Sequence, residues 1–134
     1  ITTDVIAGFP GETEAEHQET AAFLKAVGFA RIHAFPYSRR SGTLADKMEN
    51  QVDEGKKHIR TNQLIEIGNQ LEEKFVQGLI GTVQSVLFEV PAGDGLAEGY
   101  TGQYVRVRAK AEPGCIRNVR ITGAEGTLAH GEII

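Results

Sequence analysis

The sequence predicts an α/β segment over residues 1–77 followed by a small all-β barrel over residues 78–134. Two observations carry this. An apolar run, Asp4-Val5-Ile6-Ala7, leads through Gly8-Phe9-Pro10-Gly11 into a helix start at Glu12-Thr13. After Gly78 the helical period disappears, and short alternating runs separated by Gly-rich turns take its place.

Thr2 to Ala7 read as a buried strand. Thr13 is a good helix N-cap, and Glu16 three residues on completes a capping box. Ala21, Leu24 and Val27 give that helix an apolar stripe, and Gly28 can end it. Ala30 to Phe35 read as a second buried strand, closed by Pro36. Ser38 to Gly42 form a loop, followed by a short helical stretch around Leu44–Met48. Asp53 opens a long helix with Leu64, Ile67, Leu71 and Phe75 along one stripe. Beyond it, Val83 to Val90 read as a strand broken by Pro91-Ala92-Gly93-Asp94-Gly95. Tyr100 to Ala111 read as another strand region, ended by Glu112-Pro113-Gly114, and Ile116 to Ile121 as a third. Such a pattern suits a small OB-like barrel.

A parallel sheet needs strands on either side and helices on both faces, and two βα units supply neither. The first segment is therefore expected to be the tail of a larger α/β enzyme. By itself it is expected to be poorly ordered, to swap, or to self-associate through exposed edges.

The chain has 134 residues, is 40% apolar and carries a formal net charge of −4. No apolar run approaches the roughly 18 residues a membrane helix needs. No basic flank or signal-type segment is visible at Ile1-Thr2-Thr3-Asp4, so a cytoplasmic location is the expectation. The single cysteine, Cys115, excludes an internal disulfide. The charge is uneven: Arg106, Arg108, Lys110, Arg117 and Arg120 fall in an interval with one acidic residue, Glu112. Local clustering of this kind matters more to an anionic partner than the mean does.

Three places can carry function. At Gly8-Phe9-Pro10-Gly11-Glu12, glycines allow close ligand approach, and Glu12 can accept hydrogen bonds; an ordinary βα turn looks the same. At His33–Thr43, alternation puts His33 and Phe35 on one face and Ala34 on the other. The residues after that strand lie where α/β folds place their chemistry, so Arg39 and Arg40 can meet a phosphate or simply be solvated. His33 reads as a satisfied core histidine. At Tyr104–Lys110, a period of two sets Tyr104, Arg106, Arg108 and Lys110 outward and Val105, Val107 and Ala109 inward. A basic stripe with an aromatic holds phosphates and stacks bases, although a solvated strand face has the same pattern. Cys115 and the four histidines form no metal-ligand spacing.

Thr3–Thr13, then His33-Ala34-Phe35-Pro36-Tyr37-Ser38-Arg39-Arg40-Ser41-Gly42-Thr43-Leu44-Ala45, then Met48 and Gln51-Val52 resemble the radical S-adenosylmethionine (SAM) methylthiotransferases. Glu98–Val107 resembles the TRAM domain that ends those enzymes. The resemblance implies the last βα units of a radical SAM partial TIM-type barrel over 1–77 and a TRAM barrel over 78–134. It implies SAM and two 4Fe–4S clusters in the whole enzyme, with no cluster cysteines, catalytic residue or metal ligand in this chain. It implies SAM contact by Ile6, Gly8, Glu12, Phe35, Pro36 and Tyr37. It implies RNA contact by Arg40, Tyr104, Arg106, Arg108, Lys110, Arg117 and Arg120, the partner being a tRNA anticodon stem-loop.

Within the family, the run from His33 to Thr43 looks like the branch that adds a methylthio group to threonylcarbamoyl-adenosine beside the anticodon. The alternatives are the branch acting on isopentenyl-adenosine and the branch acting on a ribosomal-protein aspartate. In the last case TRAM would dock protein. Ala34 stands where the family often has Val, and Gly102 where it often has Asn.

Overall fold

The computed structural model describes residues 1–134. It divides into two compact units, Ile1–Glu72 and Glu73–Ile134. The first contains β1 (Thr2–Ala7), α1 (Glu14–Val27), β2 (Arg31–Pro36), a 3-10 turn at Ala45–Lys47 and the larger part of α2 (Glu54–Gly78). The division falls inside α2, whose last turns belong with the second unit.

β1 and β2 form a two-stranded parallel sheet with Val5 opposite Ala34 and Ile6 opposite Phe35. The α1 start follows the sequence expectation in full. The Thr13 hydroxyl accepts from the Glu16 N–H at 3.1 Å, and the Glu16 carboxylate accepts from the Thr13 N–H at 3.1 Å. Gly28 ends the helix in the left-handed region, donating to the Leu24 carbonyl.

Helices cover one sheet face only. Ala7, Ala34, Ala21, Leu24, Leu64 and Ile67 make the core, while Asp4, Ile6, His33 and Phe35 stand on an open face. The expectation of two buried strands is therefore corrected: alternation leaves every second residue exposed, because nothing covers the far face. His33 is corrected with it. It is exposed, with Asp4 3.8 Å away, and is not a core histidine. In α1 the buried stripe is His17, Ala21 and Leu24, and Val27 is exposed.

The second unit is a closed barrel of β3 (Val83–Gly93), β4 (Leu96–Thr101), β5 (Arg106–Lys110), β6 (Cys115–Glu125) and β7 (Leu128–Ile133), as the all-β pattern predicts. Around the barrel the order is β3-β4-β5-β7-β6. Only the β5–β7 pair is parallel. Phe88, Val86, Val107, Val119, Ala97 and Ala129 are fully buried inside it, joined by Val76 from the last turns of α2.

Two sequence boundaries move. Pro91 does not break β3: the strand passes it on bulges between Phe88 and Val90 and between Pro91 and Gly93. It then turns at Asp94-Gly95, both at positive φ, the two-residue hairpin that Asp-Gly favours. The strand region expected from Tyr100 to Ala111 is two strands, β4 and β5, joined by the three-residue loop Gly102-Gln103-Tyr104.

Neighbouring strands β4 and β3 come closest at Gly99. A Cβ there would overlap the Leu87 carbonyl and lie 2.7 Å from the Phe88 Cα, with only backbone available to yield. Gly102 in the neighbouring loop has nothing within 4 Å. Gly99→Ala is therefore expected to destabilise the barrel by about 3 kcal/mol or more, and Gly102→Ala by about 1 kcal/mol or less. Chemical denaturation of the two variants followed by circular dichroism checks the contrast.

Candidate functional site

On the barrel, inward Val105, Val107 and Ala109 alternate with outward Arg106, Arg108 and Lys110, as the period of two predicts. The cations are not equivalent. Arg108 lies opposite Glu98 across the β4–β5 ladder, and its Nε donates to Glu98 Oε1 at 2.9 Å while its terminal nitrogen bonds the same oxygen. This ion pair is half-buried, so Arg108 is largely committed within the fold. Arg106, Lys110, Arg117 and Arg120 are exposed and make no ion pair. Arg120 shares an outward register position with Glu132 of β7. Arg117 keeps the alternation of buried Val119 and Ile121, yet it is exposed near the start of β6.

Tyr104 does not continue the strand alternation. It occupies the last position of the three-residue loop at φ 61°, where glycine is the usual residue. Buried Thr101 holds the loop. Its hydroxyl accepts from the Gln103 and Val105 N–H groups at 3.2 Å each, and its carbonyl accepts from the Tyr104 N–H at 3.0 Å. Tyr104 ends up 71% exposed. The position opposite Arg106 is taken by Tyr100, half-exposed on β4, which the sequence reading passed over.

In the first unit, the carboxyl ends of β1 and β2 converge with the loops that follow them. The Glu12 carboxylate accepts from the Gly8 N–H at 3.1 Å and from Arg60 at 2.9 Å. Arg60 also donates to the Glu12 carbonyl at 3.0 Å. The carboxylate therefore clamps its own turn. Tyr37 donates its N–H to the Ala7 carbonyl at 2.8 Å and meets Phe9 edge-to-face at 5.4 Å. Lys57 is buried, with Nζ 3.3 Å from the Tyr37 carbonyl and 2.6 Å from Glu54.

A Cβ on Gly8, at φ 73°, would overlap the Lys57 side chain, so glycine is required there. Ile6 and Phe35 are register neighbours on the open face, and Pro36 is exposed beside them. Arg39 is paired with Asp46 at 2.9 Å, whereas the Arg40 side chain is exposed and makes no ion pair.

Sequence reasoning missed Lys57 and Arg60. The signal was available: they extend the Leu64–Ile67 stripe of α2 toward its N-terminus, marking a buried polar continuation. Cys115 packs beside the barrel core near the Pro113-Gly114 turn, its thiol 2.9 Å from the Glu112 carbonyl. No group of three metal-ligating side chains converges in the chain.

No family model matches the chain. Curated relatives do. The threonylcarbamoyladenosine tRNA methylthiotransferase MtaB of Bacillus subtilis is 38% identical over 141 residues, covering 100% of this chain and 31% of its own length. The chain is homologous to tRNA methylthiotransferases. The MtaB protein of Thermotoga maritima is 41% identical over 106 residues, or 79% of this chain and 24% of that protein. The tRNA-2-methylthio-N(6)-dimethylallyladenosine synthase of Clostridium novyi is 34% identical over 139 residues, again 100% of this chain and 31% of that protein. The chain thus spans less than a third of these methylthiotransferase relatives.

The left-handed Tyr104 gives a test of whether the loop is built for stability. Tyr104→Asn removes an aromatic from a conformation that asparagine tolerates, so stability is expected to rise by roughly 0.5–1 kcal/mol. The denaturation midpoint of the variant measures this.

Proposed function

We propose that this chain is the C-terminal part of a radical SAM tRNA methylthiotransferase, residues 1–77 closing its radical SAM domain and 78–134 forming a TRAM barrel. We assign the whole enzyme the addition of a methylthio group to threonylcarbamoyl-adenosine next to the anticodon. The observation that carries this reading is the alignment of the entire chain with an enzyme of that name at 38% identity. A second reading, dimethylallyl- or isopentenyl-adenosine as the target, is favoured by the relatives at 34–39% identity that carry that activity in their names. Both readings make tRNA the substrate.

The first unit fits a role in holding SAM. Ile6 and Phe35 present an open apolar shelf at the carboxyl ends of two parallel strands, and Pro36 and Tyr37 continue it. Gly8 keeps its backbone free of a side chain, and Glu12 fixes the Gly8 turn by accepting its N–H. Lys57 and Arg60 hold the two loops from behind. In such a site SAM supplies the radical chemistry, and these residues only orient it. The two 4Fe–4S clusters belong to the remainder of the enzyme, since cysteine ligation needs more than Cys115.

The barrel is the tRNA-binding part in this reading, through Tyr104, Arg106, Lys110, Arg117 and Arg120, with Arg108 contributing less because Glu98 neutralises it. Arg40, exposed in the loop after β2, adds a further phosphate contact. No helix is long and apolar enough to cross a membrane. The open edges of β1 and β2 favour self-association of the chain when it is isolated.

Titration of the chain with a fluorescent anticodon stem-loop tests the RNA reading. Binding is expected to weaken with salt, with a log–log slope of roughly −0.7 to −0.9 per phosphate contact. Reversing Arg106 and Arg120 to Glu is expected to cut low-salt affinity at least about ten-fold and to flatten the slope by about two contacts. Salt-independent binding, or tighter binding to a ribosomal protein than to RNA, would overturn it.

A further inference from the structure

Strand register places four outward side chains in one row across four neighbouring strands. Arg106 of β5 lies opposite Tyr100 of β4, Tyr100 opposite Leu87 of β3, and Leu87 opposite Ile116 of β6. All four are exposed, although their alternate neighbours Val86, Phe88, Val107 and Thr101 are buried. At a strand spacing of about 4.8 Å the row is roughly 14 Å long. Three of its four members are large and apolar or aromatic, on a barrel whose interior is already filled by Phe88, Val86 and Val107. The row is therefore surplus to the core.

Charge decides what it faces. Arg106 ends the row and makes no ion pair, whereas Arg117, next to Ile116 in the chain, has the opposite parity and lies off the row. Of the nearby acids, Glu98 is taken up by Arg108, and Glu89 is exposed at the β3 bulge, two residues from Leu87. An apolar strip ending in a free guanidinium suits a chain of flat apolar bases joined by phosphates. It does not suit a basic protein segment.

We propose that Arg106, Tyr100, Leu87 and Ile116 form a stacking platform for unpaired RNA bases, with Tyr100 as the aromatic on which a base lies flat. This rests on the reading of the barrel as the RNA-binding part and extends it from phosphate attraction to recognition of unpaired nucleotides. Gly99 contributes indirectly: lacking a side chain, it lets β4 lie close against β3, where Tyr100 stands beside Leu87.

The test compares the chain with its Tyr100→Ala and Tyr100→Phe variants. The probes are a fluorescent single-stranded RNA heptamer and a duplex of equal length, with thermal unfolding of each protein as a folding control. Tyr100→Ala is expected to lower heptamer affinity about ten-fold while leaving duplex affinity and the heptamer salt slope unchanged, and Tyr100→Phe to retain wild-type binding. A folded Tyr100→Ala variant that binds the heptamer as well as wild type, while Arg106 and Arg120 reversal still weakens it, overturns the platform and leaves the RNA reading standing. Failure of the wild-type chain to bind either RNA at low salt removes both. Sedimentation showing a wild-type dimer that Tyr100→Ala dissociates would assign the row to contact between copies and overturn the platform equally.

Discussion

In a small barrel, neighbouring backbones can approach more closely than side chains permit only at glycine. In this barrel those places are Gly99, against the Leu87 carbonyl, and Gly131, where a Cβ would press on Val119 and the Arg120 carbonyl. The rest of the second unit follows from them. Close approach lets the small interior be filled by Phe88, Val86, Val107 and Val119 with little room left for polar groups. With the interior filled, every alternate side chain is driven outward, and the outer surface becomes the only place where this unit can meet a ligand.

That surface is less basic than the linear sequence suggests. Counting charges along residues 106–120 finds five cations and one acid, but the hairpin brings Glu98 against Arg108 and β7 brings Glu132 opposite Arg120. Acids distant along the chain become neighbours across the ladder. What survives is a set of separated exposed arginines around an apolar row. Such a surface gains less from diffuse attraction and more from contacts that combine a ring with a phosphate.

Local signals in the sequence were read well and long-range ones were not. Thr13 and Glu16 specify a helix start through contacts three residues apart, and the structure matches them bond for bond. The inward Val105, Val107 and Ala109 also followed directly from the period of two. Burial of β1 and β2 did not follow, because an apolar run cannot say whether its second face is covered; His33 went astray for the same reason. Tyr104 was misplaced because a tyrosine at φ 61° hides a turn that glycine would have announced. At the loop after β1, glycines and Glu12 were visible in the sequence, but the clamp by Arg60 depends on a helix more than forty residues away in the chain.

The single parallel pair in the barrel, β5 with β7, has a consequence for how the molecule forms. Hairpins join β3 to β4, β4 to β5 and β6 to β7, and each can zip locally as its turn is made. The ring itself is sealed by β7 arriving alongside β5 with all of β6 between them in the chain. Contacts so far apart along the chain are costly to bring together and slow to form. During synthesis the barrel must therefore wait as an open ribbon, its edges bare, until its last strand, β7, has emerged to close it.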